Sequence, residues 1–553
     1  MSTNGSTDEY PEDFDCIVIG SGFGGSVMTY RLAAANRKVL LLERGKPYPP
    51  GSFARTPLEN STNVWDPSES LYGLFDIWSF KKFEAVISSG LGGGSLIYAN
   101  VMFRKPDDSF DETWPLDPAE LKDPYREVEE MLGVRKYPLA DVTEKTKQFE
   151  LAAKRMGLSW DRAPLAVSFS DSKSLSGSPI EGWNLHEAHR TTCIRCGQCD
   201  VGCNFGSKNS LDLTYLSRAK QHGACIETLH EVRQIRPLPD GRYEVDAVRH
   251  LPPNPPWKRD GVRAVPEPVQ FRAKCVVLAA GSLGSTYLLL RNRINLPGLS
   301  DQLGQRFCGN ADYLGFIRTG KNDGSLDASR GPTITSYIEK RSNGSSAAGG
   351  PSNVLLVEDG GYPVLGDWLG ETLRLQAAKR IAAVALTTLA ARVTNKSRTR
   401  ISAKLSQIVG DSYPSRSVLP MLGMGQDMPR GVMALRNGDL EIAWREAYSQ
   451  PAFDGIRQTM NEVATGLKGK FQAGPSTMLS RMVTVHPLGG VPMGRTPGQG
   501  VVDSYGEVFG YPGLFVADGS IMPGPVGVNP ALTIAAVAER ASSRVIEKAG
   551  GAR

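Results

Sequence analysis

The sequence has no uninterrupted apolar stretch of membrane-spanning length, so nothing in it reads as a transmembrane helix. Basic residues never run beyond adjacent pairs such as Lys379-Arg380, and 63 Lys and Arg against 58 Asp and Glu leave a formal charge of only +5. That scatter excludes the concentrated basic face a nucleic-acid partner requires. Met1 to Asp13 is polar and acidic and lacks the positive n-region and apolar h-region of a secretion signal. The expectation is a cytoplasmic protein with a disordered leader over 1–14. Cysteine is sparse, eight in 553 residues, which excludes a disulfide-stapled extracellular scaffold. No internal repeat is evident. The length exceeds what one hydrophobic core usually serves, so at least two domains are expected.

Glycine, in contrast, is placed with purpose. Gly20-Ser21-Gly22-Phe23-Gly24-Gly25 follows the apolar run Cys16 to Ile19 and opens a helical pattern, Ser26 to Ala35. Glycines at 20, 22 and 25 allow a tight turn, close backbone approach to a pyrophosphate and tight packing of helix on strand. A second strand, Val39 to Leu42, delivers Glu43 where a Rossmann unit places an acid on the adenosine ribose. Strand, turn, helix, strand and acid together predict a dinucleotide site.

Further along, Gly45 to Ser79 is rich in Pro, Ser, Gly and aromatics and reads as a long loop or lid. Gly90, Gly92, Gly93 and Gly94 precede Ser95 in a second glycine-rich turn that runs to Asn100. Arg126 to Leu132 and Val142 to Met156 read as helices, and Ser168 to Pro179 as low-complexity sequence. Lys274 to Ala279 is a buried-strand pattern ending in Ala280-Gly281, ahead of the helical Thr286 to Arg293. Leu373 to Val393 is an amphipathic helix with Arg374, Lys379, Arg380 and Arg392, a solvated face or a peripheral membrane contact. Val432 to Leu435 and Leu440 to Trp444 form a hairpin pattern. Near the C-terminus, Leu514 to Ala517 is a strand ending in Asp518-Gly519. His486 stands in Val485-His486-Pro487-Leu488-Gly489-Gly490, and Asn529-Pro530 precedes an apolar helix, Ile534 to Ala541.

In this order, the turn at 20–25, the run Gly90 to Asn100, Ala279-Ala280-Gly281, the His486 motif, Asp518-Gly519 and Asn529-Pro530 resemble the glucose-methanol-choline (GMC) flavoprotein oxidoreductases, especially the cholesterol oxidase-like branch. The resemblance implies an α/β fold with a Rossmann-type FAD-binding domain and a substrate domain of mixed sheet plus helices. It assigns 15–110, 190–310 and 480–553 to the first and 111–189 and 311–479 to the second. FAD contacts are expected from Gly20, Gly22, Phe23, Gly24, Gly25, Glu43, Gly92, Gly93, Ser95, Asn100, Ala280, Gly281, Asp518, Gly519, Asn529 and Pro530. The absence of His between Lys81 and Pro106 implies noncovalent FAD.

The resemblance also places His486 and Asn529 at the flavin. The chemistry agrees, because alcohol oxidation needs a group titrating near pH 7 on the hydroxyl and a hydride acceptor beside the carbinol carbon. Glu358, in Asn353-Val354-Leu355-Leu356-Val357-Glu358, is the candidate carboxylate for steroid isomerisation, with Asp359 beside it as a competitor.

Cys193, Cys196, Cys199 and Cys203 form C-x2-C-x2-C-x3-C, the ferredoxin-type spacing with Asn204 in place of proline. An iron–sulfur cluster, a zinc site, and packed thiols or disulfides all remain open. The expected activity is FAD-dependent oxidation of a hydrophobic alcohol such as a 3β-hydroxysteroid, with oxygen or a redox protein as electron acceptor. The alternatives are a long-chain or terpenoid alcohol dehydrogenase that passes electrons through the cysteine site, and a non-redox isomerase or lipid-binding protein.

Overall fold

A computed structural model describes residues 13–139, 142–171, 175–252, 265–320, 326–342, 353–362, 418–473 and 482–550. Most of the leader over 1–14 and the helical pattern Leu373 to Val393 lie outside the described residues.

The strand Phe14–Ile19 is the centre of a seven-stranded sheet. It pairs in parallel with Val39–Glu43 on one side and with the end of Glu267–Leu278 on the other. Cys225–Thr228 extends the sheet in parallel beyond Val39–Glu43, and Leu514–Val516 joins Glu267–Leu278 in parallel. The first half of that long strand instead pairs antiparallel with Tyr243–Arg249, which pairs with His230–Pro237. Cys16 to Val18 and Leu40 to Leu41 are fully buried, as expected of parallel strands covered on both faces. The helices Phe23–Ala34 and Ala531–Gly550 pack on each other beside this sheet.

A second sheet of six strands is antiparallel throughout. Its order is Lys470–Ala473, Tyr313–Arg318, Val418–Gly425, Asn353–Asp359, Ser336–Ser342 and Ser159–Arg162. Helices Glu144–Met156 and Gln450–Gly466 contribute Phe149, Ala152, Phe453, Ile456 and Met460 to a core shared with Tyr313, Ile317, Val357 and Met421.

The segment expected as a lid, Gly45 to Ser79, is more ordered than its composition suggests. It holds a short helix, Pro57–Ser61, whose N-cap Thr56 forms a capping box with Glu59, and a strand, Phe75–Ser79. That strand pairs with Phe83–Ser88, which in turn pairs in parallel with Met482–Thr484, two residues before His486. The alternation in Phe75-Asp76-Ile77-Trp78 carried a strand signal that the surrounding Pro and Gly masked. Likewise the helix expected from Thr286 begins earlier, at Gly281.

Candidate active site

Four glycine-bearing segments meet at the C-terminal ends of the parallel strands, where an open α/β sheet binds its ligand. Gly20 has φ +99°, and a Cβ there would stand 2.4 Å from the Ala279 carbonyl oxygen. A Cβ on Gly24 would fall 1.6 Å from the Ala517 carbonyl oxygen, and one on Gly93 2.6 Å from the Gly22 Cα. No side chain fits at these three junctions. At Gly94 and Gly281, by contrast, a Cβ would meet nothing within 4 Å, so backbone is presented to open space. Helix Phe23–Ala34 starts here, and Gly22, its N-cap, has no side chain to satisfy the first N–H groups.

Several expected contact residues are already engaged in building this cradle. Glu43 is buried, and its Oε2 accepts hydrogen bonds from the Ser21 amide (3.0 Å) and hydroxyl (2.6 Å) while Oε1 accepts from Gly45 N (2.8 Å). Asp518 accepts from Gly281 N (2.9 Å), Ser520 N (2.8 Å) and the Ser285 hydroxyl, tying two strand ends together. Ser95 Oγ accepts from Leu211 N (3.0 Å) and donates to Gly92 O (2.7 Å). Phe23 packs edge-on against Tyr98, ring centroids 5.4 Å apart. Gly519 opens a short turn ahead of Asn529, and Pro530 stands just before the helix Ala531–Gly550, where its missing N–H does no harm.

Asn100 behaves differently. It is fully buried at φ 69°, and neither its Oδ1 nor its Nδ2 has a partner among the described residues. A buried amide with both ends unpaired is expensive unless a ligand completes it. The Tyr98 hydroxyl and the Ser89 Oγ are also buried and unpaired. The cradle and these polar atoms therefore fit a dinucleotide with polar atoms of its own.

The segment Asn310 to Asp312 ties together the loops that carry Asn529 and His486. Asn310 donates from Nδ2 to Val528 O (2.9 Å) and accepts from Gly527 N (2.8 Å), which fixes the loop carrying Asn529. Two residues on, Asp312 holds the loop carrying His486. Its Oδ2 accepts from Thr484 Oγ1 (2.9 Å), Val485 N (2.8 Å) and His486 N (3.0 Å), and its Oδ1 lies 2.7 Å from His486 Nδ1. Asp312 was not legible as a site residue, because only the antiparallel packing of Cys308 against Leu488 brings it there.

Asn529 is buried, and its Nδ2 lies 3.4 Å from Glu358 Oε2. The other oxygens of this pair, Asn529 Oδ1 and Glu358 Oε1, are buried without partners among the described residues. Burial pushes the Glu358 carboxyl up to about 8; the Asn529 bond opposes this and the charges of Asp359 and Asp312 add to it. Asp359, its sequence competitor, points the opposite way, as neighbours in a strand must. It accepts from Thr335 N and Ser336 N (2.7 Å each) and faces the buried Lys145 at 4.0 Å. On the Glu358 face, the paired positions across the two neighbouring strands are Tyr337 and Leu422, with Phe103 packed edge-on against Tyr337. Lys105, also unforeseen, is buried with Nζ 3.1 Å from Pro525 O, behind the same loop, and burial lowers it to about 8.

Nothing in the structure supports the metal readings of the four clustered cysteines over packed thiols. All eight cysteines are free thiols, and among the described residues no three His, Cys, Asp or Glu side chains are gathered to hold a metal. The loop spends its left-handed turns on packing instead. A Cβ at Gly197 would meet Ser329 O at 2.4 Å, and one at Gly202 would meet the Phe53 ring at 1.9 Å. Burial pushes Cys196 up to about 11 and raises Cys193 and Cys199, which favours neutral thiols. Lys208, an apparent partner for an anionic centre, donates to the carbonyls of Leu96, Tyr98 and Cys199 at 2.8–3.1 Å.

A Rossmann-type sheet with this glycine cradle, joined to an antiparallel sheet that delivers acids and a histidine-bearing loop, defines a dinucleotide-dependent oxidoreductase. The chain belongs to the GMC oxidoreductase family, whose N- and C-terminal domain models match residues 14–308 and 445–538. Members of this family bind FAD and act on CH–OH groups. The chain is 31% identical to the cholesterol oxidase of Mycobacterium tuberculosis, covering 96% of this chain and 91% of that protein. It is 28% identical to the cholesterol oxidase of Acinetobacter baumannii, covering 97% and 95%. A long-chain-alcohol oxidase of Arabidopsis thaliana is 24% identical over 96% of this chain and 67% of its own length. Among solved structures, pyridoxine 4-oxidase from Mesorbium loti superposes with a TM-score of 0.57 at 18% identity, covering 96% of this chain and 99% of that one, which supports the shared fold.

Proposed function

We propose that this protein oxidises a hydrophobic secondary alcohol, a 3β-hydroxysteroid such as cholesterol, to the ketone and then shifts the Δ5 double bond to Δ4. The observation that carries the reading is the buried Asn529–Glu358 pair, its two free oxygens set beside the half-buried Phe103, Tyr337 and Leu422. Polar atoms of that kind serve a substrate whose reacting end is polar and whose body is apolar. The relatives named cholesterol oxidases favour the same substrate class.

FAD would be held noncovalently by the cradle Gly20 to Gly25, by Gly93 and Gly281, and by Asn100, with Asn529-Pro530 and Gly519 beside its ring. Bound there, it supplies the two-electron oxidant that accepts the hydride from the carbinol carbon. His486 takes the hydroxyl proton at Nε2. Asn529 orients the oxygen through its amide. Glu358, in its ionised fraction, carries a proton from C4 to C6 of the Δ5-3-ketone, and its position near pH 8 suits a base working close to neutrality. In this reading the cofactor domain comprises 15–110, 190–310 and 480–553, and the substrate domain 111–189 and 311–479.

The Arabidopsis relative favours a second substrate class, a long-chain primary alcohol. Hydrogen peroxide release from cholesterol, from a C16 primary alcohol and from pyridoxine, each compared with the His486→Ala variant, separates the two. Turnover of cholesterol that is lost in His486→Ala supports the steroid reading, whereas turnover confined to the C16 alcohol replaces it with the second.

A further inference from the structure

We propose that Asp312 is the positioning residue of the alcohol oxidation: its carboxylate fixes His486 with the proton on Nδ1, keeps the Nε2 lone pair free, and stabilises the cation formed when Nε2 takes the hydroxyl proton. The inference rests on the reading of His486 as the base in the proposed function.

The geometry leaves one arrangement. Asp312 is 3% exposed and accepts from two backbone amides and the Thr484 hydroxyl on a single oxygen, Oδ2. Three donors converging on Oδ2 match the acceptor geometry of a carboxylate. The second oxygen, Oδ1, lies 2.7 Å from His486 Nδ1, so the ring nitrogen at that distance must be the donor. With a carboxylate at Oδ1 the ring proton sits on Nδ1, which leaves Nε2 as the nitrogen that acts as the base in the proposed reaction. The residue is held twice, at the ring through Nδ1 and at the backbone through its amide, which also donates to Asp312.

In the reaction, the substrate O–H bond breaks and an N–H bond forms at Nε2. The carbinol C–H bond would break as the C=O bond forms, and FAD held by the glycine cradle would supply the two-electron oxidant for its electron pair. The new positive charge on the ring then sits against the Asp312 carboxylate in a site largely closed to water, where the attraction is little screened.

The titratable groups that face Asp312 besides His486 are Glu358, Asp427 and the Cys308 thiol. Glu358 and Asp427 both feel its charge, and both are buried and pushed upward, to about 8 and about 6. The neighbouring Cys308 thiol is raised as well. No Lys or Arg is among the hydrogen-bonding partners of Asp312 in the described residues, so His486 is the group that can balance it.

The test is Asp312→Asn in the FAD-loaded full-length protein, read by kinetics and by the 15N spectrum of selectively labelled histidine. The chain has six histidines, and His486 is assigned by its loss in His486→Asn. In Asp312→Asn the amide oxygen still accepts the backbone donors while the NH2 group faces Nδ1, which pushes the ring proton onto Nε2. The expected result is a fall in kcat of about 100-fold or more with KM within threefold, unchanged FAD stoichiometry, and exchange of the protonated and unprotonated nitrogen signals of His486. Wild-type kcat in Asp312→Asn, or a wild-type spectrum with the proton on Nε2, overturns the proposal. Should Asp312→Asn fail to fold, the wild-type spectrum decides alone. Should the wild type oxidise no alcohol, the reading of the site fails while the spectrum still tests the pairing.

Discussion

Replacing Glu358 with Gln removes a buried acid that titrates far from its ordinary range, and the consequence for stability follows from linkage. The folded carboxyl sits at about 8 against an ordinary 4.5. Between those values the folded chain holds a proton that the unfolded chain has released. Stability therefore falls as pH rises through this window and levels off above it. With one pH unit equal to about 1.4 kcal/mol, the wild type loses roughly 3 to 4 kcal/mol between pH 5 and pH 8 from this residue alone, and Glu358→Gln loses none of it. Urea unfolding followed by tryptophan fluorescence at both pH values, with FAD at the same saturating level, measures the difference. The variant should be close to wild type at pH 5 and more stable than it at pH 8. Equal stability of the two proteins at both pH values would refute the buried, proton-holding Glu358.

The same acid governs the second half of the proposed reaction. With the Δ5-3-ketone supplied directly, isomerisation should rise about tenfold from pH 6 to pH 7 and flatten above pH 8, because only the ionised fraction acts as a base; a flat profile in a stopped-flow absorbance assay would assign the step elsewhere. Asn100→Ala should weaken FAD binding about tenfold or more by equilibrium titration of the apoprotein, since both amide atoms lack a partner among the described residues. Gly24→Ala forces a methyl group onto the Ala517 carbonyl oxygen, 1.6 Å away, and should cost about 3 kcal/mol or abolish soluble expression. Iron, zinc and acid-labile sulfide in anaerobically purified protein should all be far below one per chain, with the Cys193 to Cys203 thiols titrating as free on unfolding; stoichiometric iron with sulfide would contradict the packing role of that loop.

What the sequence disclosed were the features whose physics is local. The turn at Gly20 to Gly25 needs glycine because its neighbours are backbone atoms at less than van der Waals distance, and that requirement is written in consecutive residues. His486 and Asn529 were legible because each sits in a short Gly- and Pro-rich motif beside a strand or helix end. Glu358 and Asp359 were inseparable on paper, and the pleat of one strand separates them, sending Asp359 to Thr335 and Lys145 and Glu358 to Asn529. Asp312 and Lys105 were invisible because their partners lie 174 and 420 positions away, brought close by strand pairing and by the terminal loop. The cysteine cluster stayed ambiguous for the opposite reason. Its spacing satisfies a metal motif, but the loop turns at Gly197 and Gly202 to pack on Ser329 and Phe53.

The central claim is that a base at His486 and a bound flavin together oxidise a hydrophobic alcohol. Anaerobic stopped-flow mixing of FAD-loaded protein with cholesterol, in wild type and His486→Ala, tests it most directly. Bleaching of the flavin band in the wild type, slowed by about 100-fold or more in the variant and reversed by air, is the predicted result. A flavin that stays oxidised with cholesterol and with a long-chain alcohol, or that bleaches equally fast without His486, would contradict it.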